Sequence, residues 1–328
     1  MILIVRPKPG ASHAIALFGV GLIGGAILRA LMKRGVTSLA DLPLNWKDRP
    51  QRSLDLLSLT HAINCQFDRA SLARLDIVWA AGKAGFGAGR EELGAEFEAF
   101  RDISKWAQEL PLHLPPGTSL GFHMLSSAGG LFEGQRFVDS TTLPRPHRAY
   151  GEAKLEQEAT VEDLRNTMVA HIYRPSSVYG FSREGGRSGL INTLIENAKK
   201  HSVSRIFGGL DTVRDYILAS DIAEFVANKI TQPETASQTF LLASGKPASV
   251  STIAQIVTKV VGSPLYLKLD VQPSNASHIT FRQSALPEGW RPTDLETGIR
   301  LVARQLSLSF ETGARRYLAG PTARLREG

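Results

Sequence analysis

The sequence predicts an α/β fold in which a doubly wound parallel sheet is followed by a smaller mixed α/β lobe. Short apolar runs such as HAIALF, LDIVWAA and SLGFHML alternate with segments of helical spacing over about the first 175 residues. Repeated strand–helix–strand units of this kind form a parallel sheet with helices on both faces. Beyond that point the alternation becomes irregular, and this change predicts the second lobe.

The elements follow from these patterns in chain order. The apolar runs predict strands at 13–18, 41–46, 75–81, 119–125 and 168–173, and the helical spacing predicts helices at 22–34, 91–109 and 151–165. Pro43 indicates an edge position or a break in the second strand. In the lobe we expect helices at 190–200, 221–230, 250–261 and 294–305, and strands at 205–207 and 239–242.

These elements predict a parallel-sheet domain over 13–180, to which later elements return. A partly interleaved second lobe is predicted over 181–310, and a basic tail over 311–328. The length of 328 residues agrees with about two domains at roughly 150 residues each.

Composition excludes several classes of protein. Hydrophobic residues make up 43% of the chain and charged residues 21%, which is typical of a globular protein rather than a disordered or fibrous one. A single cysteine excludes an internal disulfide framework and a multi-cysteine metal site, and indicates a reducing compartment. No apolar run approaches the ~20 residues that span a bilayer, and the apolar start at 1–5 is too short for a signal peptide. We therefore expect a cytoplasmic protein with no membrane span and no metal.

The formal net charge of +7 leaves several anionic partners to consider. Basic residues are dispersed along the chain, and no basic motif with interleaved aromatic residues is present, so we expect no nucleic-acid partner and favour a small anionic ligand. A nucleic-acid binder would instead show binding that falls steeply with salt.

A glycine-rich turn follows the first predicted strand. Gly19, Gly21 and Gly24 form the pattern G-x-G-x-x-G between that strand and a helix. Such a turn allows a pyrophosphate to approach the backbone closely, and the helix N-terminus supplies amide donors. The sequence therefore predicts a Rossmann-type sheet that binds NAD or NADP at Gly19, Gly21, Leu22, Ile23 and Gly24.

The sequence leaves the choice between NAD and NADP open. An NAD-selective fold usually places an acid at the end of the second strand, but Asn45 lies there in this chain. Lys47, Arg49 and Arg52 follow, and they would either neutralise a 2′-phosphate or form a solvated loop.

Tyr150 and Lys154 are four residues apart in a predicted helix, so both side chains lie on one helix face. A phenol is ordinarily too weak an acid for proton exchange at neutral pH, and a neighbouring cation favours its ionised form. Ser127 follows the strand predicted at 119–125 and precedes Tyr150 by 23 residues. The carboxyl end of a parallel strand is where such sheets bind ligands. The three residues therefore form a candidate catalytic group.

The chain resembles the extended short-chain dehydrogenase/reductase family, in particular its nucleotide-sugar epimerases, dehydratases and reductases. Beyond the motifs above, the resemblance rests on four segments in the family's order: Ala80-Ala81-Gly82, RPSSVYG at 174–180, VRDYI at 213–217 with Asp221-Ile222-Ala223, and LPEGWRP at 286–292.

The resemblance implies an enzyme in which Tyr150 is the acid/base, Lys154 tunes it and holds the nicotinamide ribose, and Ser127 orients the substrate hydroxyl. It implies a nucleotide-sugar substrate with Ser177 at the substrate site and Arg214 on the diphosphate. It also implies a homodimer that pairs the helices predicted at 91–109 and 151–165. The implied cofactor-binding residues are Gly19, Gly21, Leu22, Ile23, Gly24, Asn45, Ala80, Ala81, Gly82, Tyr150, Lys154 and Pro175.

Departures from the family pattern reduce the number of reactions that the resemblance allows. Phe18 stands where the family's first glycine is usual, and Ser177 replaces an asparagine. Ala128 and Gly129 stand where dehydratases carry an Asp-Glu pair, which disfavours 4,6-dehydration. Sugar epimerisation and keto-sugar reduction remain, with a non-catalytic dinucleotide-binding regulator as the alternative.

Overall fold

The structure, a computed structural model, describes residues 2–6, 12–67, 72–82, 89–181, 189–270 and 277–318. Its strands are, in chain order, β1 (Ile2–Arg6), β2 (His13–Phe18), β3 (Thr37–Leu42), β4 (Arg74–Trp79), β5 (Ser119–Leu125), β6 (Val169–Pro175), β7 (Ser177–Tyr179), β8 (Val203–Ile206), β9 (Val213–Arg214), β10 (Tyr216–Leu218), β11 (Thr239–Leu242), β12 (Ala248–Ser249) and β13 (Tyr266–Leu269). Its helices are α1 (Leu22–Lys33), α2 (Arg49–Gln66), α3 (Arg90–Glu109), α4 (Ala128–Leu131), α5 (Ala149–Leu164), α6 (Leu190–Lys199), α7 (Ala219–Thr231), α8 (Val250–Val261) and α9 (Leu295–Leu318).

A seven-stranded sheet in the order β11-β6-β5-β4-β2-β1-β3 forms the centre of the described residues. Its first five strands pair in parallel. Helices α2, α3 and α5 cover one face, around Ile77 and Phe122, and α1 and α7 cover the other, around Leu17 and Val78. Strands covered on both faces are apolar along their whole length, which explains the apolar runs. This architecture confirms the predicted fold class.

The N-terminal strand β1 is the exception to the parallel order. It lies between β2 and β3 and pairs antiparallel with both, so that Ile2 is opposite Phe18 on one side and Leu42 on the other. Neighbouring strands are spaced by about 4.8 Å, so β3 lies roughly 10 Å from β2. The sequence patterns did not predict this insertion.

The second lobe contains three two-stranded sheets, β10–β7, β12–β9 and β13–β8. Helices α6, α8 and α9 pack together around Leu194, Ile253 and Val302. Two later elements belong to the main sheet instead, since β11 is its edge strand and α7 packs on α1. The predicted domain boundaries stay predictions, and α9 continues beyond residue 310 to Leu318.

The second predicted strand was wrong in its bounds. Instead of 41–46, β3 covers Thr37–Leu42 and ends directly before Pro43, which has no amide hydrogen to donate to a neighbouring strand. The sequence patterns also did not predict α2. Its N-terminus carries a recognisable signal, because the Asp48 side chain accepts a hydrogen bond from the Gln51 amide at 2.9 Å and a proline lies in the first turn.

The apolar residues of α3 face the interior of the protein. Phe100, Ile103 and Trp106 are buried in the core against the sheet, so this stripe is not available to a second copy of the chain. Acidic residues occupy much of the outer surface of α3 and α5, among them Glu91, Glu92, Glu152, Glu156 and Glu162. The homodimer stays a prediction, without support from this stripe.

Two features are absent from the described residues. None of their helices combines the length and apolar character needed to cross a membrane. They also contain no group of three or more His, Cys, Asp or Glu side chains placed to hold a metal ion. Cys65 on α2 is an exposed free thiol.

A buried polar network lies in the sheet. The Asp76 carboxylate accepts hydrogen bonds from Arg74 at 2.8 and 2.7 Å, from His13 at 2.5 Å and from His123 at 3.0 Å. Nδ1 of His123 contacts the Tyr173 hydroxyl at 2.9 Å. Because Nε2 of His123 donates to the carboxylate, we assign Nδ1 as the acceptor of the tyrosine proton. Burial raises the pKa of Asp76, but the hydrogen bonds from the histidines and Arg74 outweigh it and hold that pKa well below its usual range.

His171 should make the stability of the protein depend on pH. This side chain is 1% exposed, and burial, reinforced by the neighbouring His123, lowers its pKa to about 4 from a usual 6.5. The unfolded chain therefore takes up this proton at higher pH than the folded one. The free energy of unfolding falls as pH drops from 6.5 to 4, by about 3 kcal/mol.

His171→Gln should remove this part of the pH dependence, as measured by urea unfolding at pH 7, 5 and 4. His113→Gln, at an exposed histidine, is the control and should keep the wild-type slope. If the free energy of unfolding depended on pH equally in the wild type and in His171→Gln, His171 would not be the source of this pH dependence.

Candidate active site

The glycine turn after β2 is packed tightly on one side and open on the other. Gly19 has φ +89°, and a Cβ there would lie 2.5 Å from the Ala81 Cα. A Cβ on Gly24 would lie 2.0 Å from the Gly19 carbonyl oxygen, whereas a Cβ on Gly21 would meet nothing within 4 Å. The first and third glycines therefore let the turn, α1 and the end of β4 approach one another, and the second leaves free space at the helix N-terminus.

This free space suits a pyrophosphate. Gly21 is the N-cap of α1 and has no side-chain capping bond, so the first-turn amides that follow, including those of Leu22 and Ile23, point toward it without intrahelical partners. Phe18 does not block the turn. It is fully buried, and its ring lies beneath the turn against Trp79 and Trp106, with centroid distances of 6.4 and 5.9 Å.

Gly130 brings Ser127 and Tyr150 together. The Gly130 amide donates to the Ser127 Oγ at 3.2 Å, and a Cβ on Gly130 would lie 3.0 Å from the Tyr150 ring. Gly151 is equally close to this segment, since a Cβ there would lie 2.3 Å from the Gly130 carbonyl oxygen. Two glycines thus allow α4 and the first turn of α5 to touch, with the Ser127 hydroxyl and the Tyr150 ring both next to Gly130.

Lys154 lies one turn beyond Tyr150 on α5, as the spacing predicts. Its Nζ is 5.9 Å from the centre of the Tyr150 ring. The ammonium is buried and donates to Gln157 Oε1 at 2.9 Å and to Glu96 Oε1 at 3.3 Å. The lysine is therefore held in a fixed position beside the phenol.

The segment Ala80-Ala81-Gly82 connects the glycine turn to this group. It follows β4, with Ala81 against Gly19, and a Cβ on Gly82 would lie 3.0 Å from Glu96 Oε1. A continuous series of contacts therefore runs from the glycine turn through Gly82 and Glu96 to Lys154, and on to Tyr150.

Pro175, at the buried end of β6, pairs with Leu242 of β11.

Ser177 and Arg214 lie at the start of the second lobe. Ser177 pairs with Tyr216, and its amide donates to the Asp215 carbonyl at 3.1 Å. The Asp215 carboxylate accepts from Ser176, from the amide and hydroxyl of Ser244, and from the Gly245 amide, all at 2.7–2.8 Å. These bonds fix the backbone next to Arg214.

Arg214 lies in a region with two arginines and one glutamate, of which the sequence predicted only Arg214 as a site residue. Burial lowers the pKa of its guanidinium, Tyr216 and Glu133 raise it, and Arg148 lowers it further. Glu133 is 2% exposed and binds Arg148 at 2.9 Å. Its other carboxylate oxygen is buried with no hydrogen-bond partner. One carboxylate thus faces two guanidinium groups, which leaves a net positive charge suited to an anion.

Asn45 lies in the segment between β3 and α2, which packs back toward the end of β4, since the rings of Trp46 and Trp79 are 5.9 Å apart between centroids. Its side-chain oxygen accepts from the Lys47 and Asp48 amides at 3.0 and 2.8 Å, forming a local turn. Arg49 and Arg52 both bind Asp102, and Arg52 is 1% exposed. Both arginines lie on α2 and link it to α3 through Asp102, Arg52 from a buried position and Arg49 from an exposed one.

Four further residues contact the candidate site residues and were not predicted from the sequence. Glu96 and Gln157 hold Lys154, and Glu133 and Arg148 lie within electrostatic range of Arg214. Gln157 carried a readable signal, because it lies three residues after Lys154 on the same helix. Glu96 is 58 residues from the lysine, and no local pattern indicates such a contact.

A curated protein shares sequence similarity with part of this chain. This relative, dTDP-L-rhamnose 4-epimerase of Burkholderia thailandensis, is 25% identical over 193 residues. The match covers 55% of this chain and 52% of the relative, so the chain spans about half the length of the curated relative that it matches.

Solved structures share the fold at low sequence identity. UDP-glucose 4-epimerase of Thermus thermophilus, in complex with NAD, matches with a TM-score of 0.68 at 17% identity, over 88% of this chain and 96% of that one. UDP-glucuronic acid 4-epimerase of Bacillus cereus, in complex with UDP-glucuronic acid and NAD, matches with a TM-score of 0.67 at 16% identity, over 88% and 97%. The model of the NAD dependent epimerase/dehydratase family matches residues 15–243, well over half of the sequence. The chain belongs to the NAD dependent epimerase/dehydratase family.

Proposed function

We propose that this protein is an NAD-dependent epimerase that inverts a hydroxyl-bearing carbon of a nucleotide-linked sugar. The observation that carries the proposal is the packing of Ser127 and Tyr150 against Gly130, with Lys154 beside the Tyr150 ring. The lysine is in turn in contact through Glu96 and Gly82 with the glycine turn. Family membership supports the same reaction class.

The glycine turn fits a dinucleotide. The space above Gly21 and the amides of α1 would hold the pyrophosphate, and the Ala80-Ala81-Gly82 segment would line the nicotinamide half. A bound nicotinamide would supply the acceptor and donor of the hydride that leaves and returns to a sugar carbon. Lys154 would donate hydrogen bonds to the nicotinamide ribose, for which its fixed ammonium beside Tyr150 is suited.

NAD is favoured over NADP by the residues after β3. A 2′-phosphate needs an available cation, and two of the three cations that follow Asn45, namely Arg49 and Arg52, are already bound to Asp102, with N–O distances of 3.1 and 2.5 Å. Arg52 is in addition almost completely buried. The relatives of known structure described above are complexes with NAD.

The phenol and the serine would move and orient one proton. Tyr150 takes the proton of the sugar hydroxyl while that carbon is oxidised, and returns it to the ketone oxygen when the carbon is reduced on its other face. The Ser127 hydroxyl, which shares Gly130 as a neighbour with the Tyr150 ring, would donate to the same substrate oxygen and stabilise its developing charge. Protons and hydride are thereby conserved over one turnover, so no external reductant is consumed.

A nucleoside diphosphate sugar suits the net positive charge of the Arg148, Glu133 and Arg214 group. A diphosphate carries charge that the planar guanidinium of Arg214 binds through paired hydrogen bonds. The named relatives are epimerases of dTDP-linked and UDP-linked sugars, which supports this substrate class.

The test is to assay the purified protein with dTDP- and UDP-sugars, with no cofactor added, and to measure the cofactor released on denaturation. An epimerase should carry NAD and interconvert one sugar pair without net formation of NADH. Stoichiometric consumption of added NADH or NADPH with a keto sugar would identify the reductase instead. Bound NAD with no turnover of any sugar would favour the non-catalytic alternative.

Gly21→Ala should weaken NAD binding by about tenfold or more without unfolding the protein. Its Cβ meets no protein atom within 4 Å, so the chain accommodates it, but the methyl group occupies space needed by the pyrophosphate. Isothermal titration with NAD measures the effect on cofactor-free protein. Gly94→Ala is the control, because a Cβ on Gly94 of α3 would also meet no atom within 4 Å and its φ is not in the left-handed region. This variant should bind NAD with wild-type affinity. Wild-type affinity of Gly21→Ala for NAD would contradict the proposed pyrophosphate position.

A homodimer is also proposed, on the family resemblance alone. Light scattering after size exclusion gives the mass in solution, and a mass near that of one chain at micromolar concentration would rule the dimer out.

A further inference from the structure

The ammonium of Lys154 is paired with a carboxylate from another helix. Lys154 and Glu96 are 7% and 11% exposed in their side chains, and their N–O distance is 3.3 Å. The second acceptor, Gln157, is neutral and comes from the same helix as the lysine. Glu96 is therefore the charged contact that ties the lysine to α3.

The same carboxylate borders the cleft proposed for the cofactor. A Cβ on Gly82 would lie 3.0 and 3.3 Å from its two oxygens, so Glu96 lies between the end of β4 and the lysine. The carboxylate therefore lies close to the backbone at the end of β4 as well as to the lysine.

Other charged groups on the elements around α5 are engaged elsewhere. Arg148 binds Glu133 at 2.9 Å, and Arg174 of β6 binds Glu158 at 2.7 Å. His147 lies near Gly134, where a Cβ would be 3.2 Å from its ring, and Arg214 lies within electrostatic range of Glu133 and Arg148. On α3, Asp102 binds Arg49 and Arg52. Glu96 is the acidic group shown in direct contact with the lysine.

We propose that Glu96 is a positioning residue that controls the protonation of Tyr150 through Lys154. Its carboxylate holds the ammonium in place and at the same time offsets part of the positive field that the ammonium exerts on the phenol. Without this offset, a buried cation beside the phenol would favour phenolate more strongly. The inference rests on the proposed function, because it assumes that Tyr150 is the acid/base.

This balance suits an enzyme that must return the proton it removes. The phenolate takes the sugar hydroxyl proton in the first half of the reaction, and the phenol gives the same proton back to the ketone oxygen in the second. Proton transfer in both directions is most efficient when the acid and base forms are both accessible at the working pH. A cation without a counter-charge would favour only the first half.

Two substitutions separate charge from position. Glu96→Gln keeps an oxygen acceptor at the same place and removes the negative charge, whereas Glu96→Ala removes both. Glu98→Gln is the matched control, since Glu98 lies on the same helix in an outward pair with Arg101. The three variants are compared with the wild type by thermal unfolding, so that folded protein is assayed throughout.

Glu96→Gln should move the acid limb of the pH–rate profile down by about one pH unit, the size expected for one charge at several ångströms in a partly buried site. The phenolate absorbance near 295 nm, taken as the difference from the same variant with Tyr150→Phe added, should move in the same direction without turnover. NAD affinity should stay within about twofold. Glu96→Ala should show the same downward shift and bind NAD about tenfold more weakly, because the lysine is no longer held.

Glu98→Gln should match the wild type in every measurement. The proposal would be overturned if Glu96→Gln left both the pH–rate profile and the phenolate absorbance titration unchanged. It would also be overturned if Glu96→Gln and Glu98→Gln shifted the pH–rate profile equally. Undiminished NAD binding by Glu96→Ala would overturn the positioning role. Failure of the proposed function is a separate result, since it would appear as full turnover by Tyr150→Phe in an otherwise wild-type chain.

Discussion

Tyr150→Phe should lower kcat for sugar epimerisation by about 10³-fold, within the range usual for loss of a general acid–base group. The substitution removes only the hydroxyl, and the ring keeps its packing against Gly130. The lysine stays in place because its hydrogen-bond acceptors are Gln157 and Glu96. NAD affinity should therefore change little, so the loss is expected in the chemical step rather than in cofactor binding.

Turnover is measured with the nucleotide sugar identified by the substrate panel, and NAD binding by titration of the same preparation. Tyr266→Phe is the control, because Tyr266 lies on β13 and is 50% exposed. It should retain wild-type kcat. A Tyr150→Phe enzyme with wild-type kcat would show that another group exchanges the proton.

Asp76→Asn should lower the free energy of unfolding by about 3–5 kcal/mol, the range for breaking a buried ion pair by removing one partner. Asp76 is fully buried and accepts from Arg74, His13 and His123. Asparagine can accept through one oxygen only, and its amide group would face donors. Arg74 would then be left without its counter-charge in a largely buried position, with its side chain 15% exposed.

Urea unfolding at pH 7 measures this loss, and Asp163→Asn on the exposed surface of α5 serves as the control, with an expected change within about 0.5 kcal/mol. The low pKa of Asp76 sets the sign of the pH effect. The contribution of this carboxylate is complete above the pKa of an unfolded aspartate, near 3.9, and is lost as pH falls below it. The difference in free energy of unfolding between the wild type and Asp76→Asn should therefore become smaller in strong acid. If that difference stayed constant down to pH 2, the charge of Asp76 would not be the source of the stabilisation.

The main sheet could be predicted because each of its parallel strands is apolar on both faces. β2 and β5 were predicted with their correct bounds, since the apolar runs begin and end with the strands. Strand β1 could not be predicted in the same way, because its place between β2 and β3 depends on pairing with both of them and not on its own pattern. Helix α2 was missed although Asp48 and Pro50 mark its start, because little of its surface follows an apolar period.

At the site, contacts within one helix or turn could be predicted from the sequence, whereas contacts between separate elements could not. Tyr150 and Lys154 share a helix face, so their spacing alone predicts that they lie together. The contact of Ser127 with Gly130 is also local. Glu96 reaches the lysine from a different helix, and Arg148 reaches Glu133 across a loop. Contacts of this kind depend on how helices pack, which single-sequence patterns do not encode.

The insertion of β1 has a consequence for attempts to redesign cofactor choice. In sheets of this type, exchange of NAD for NADP is usually sought at the tip of the strand next to the glycine turn, where a side chain reads the adenosine ribose. In this protein the neighbour of β2 on that side is an antiparallel strand, and the tip of β3 lies a full strand further away. A substitution at Asn45 would also disturb the turn that leads into α2, so a change of cofactor choice there would require rebuilding the start of that helix.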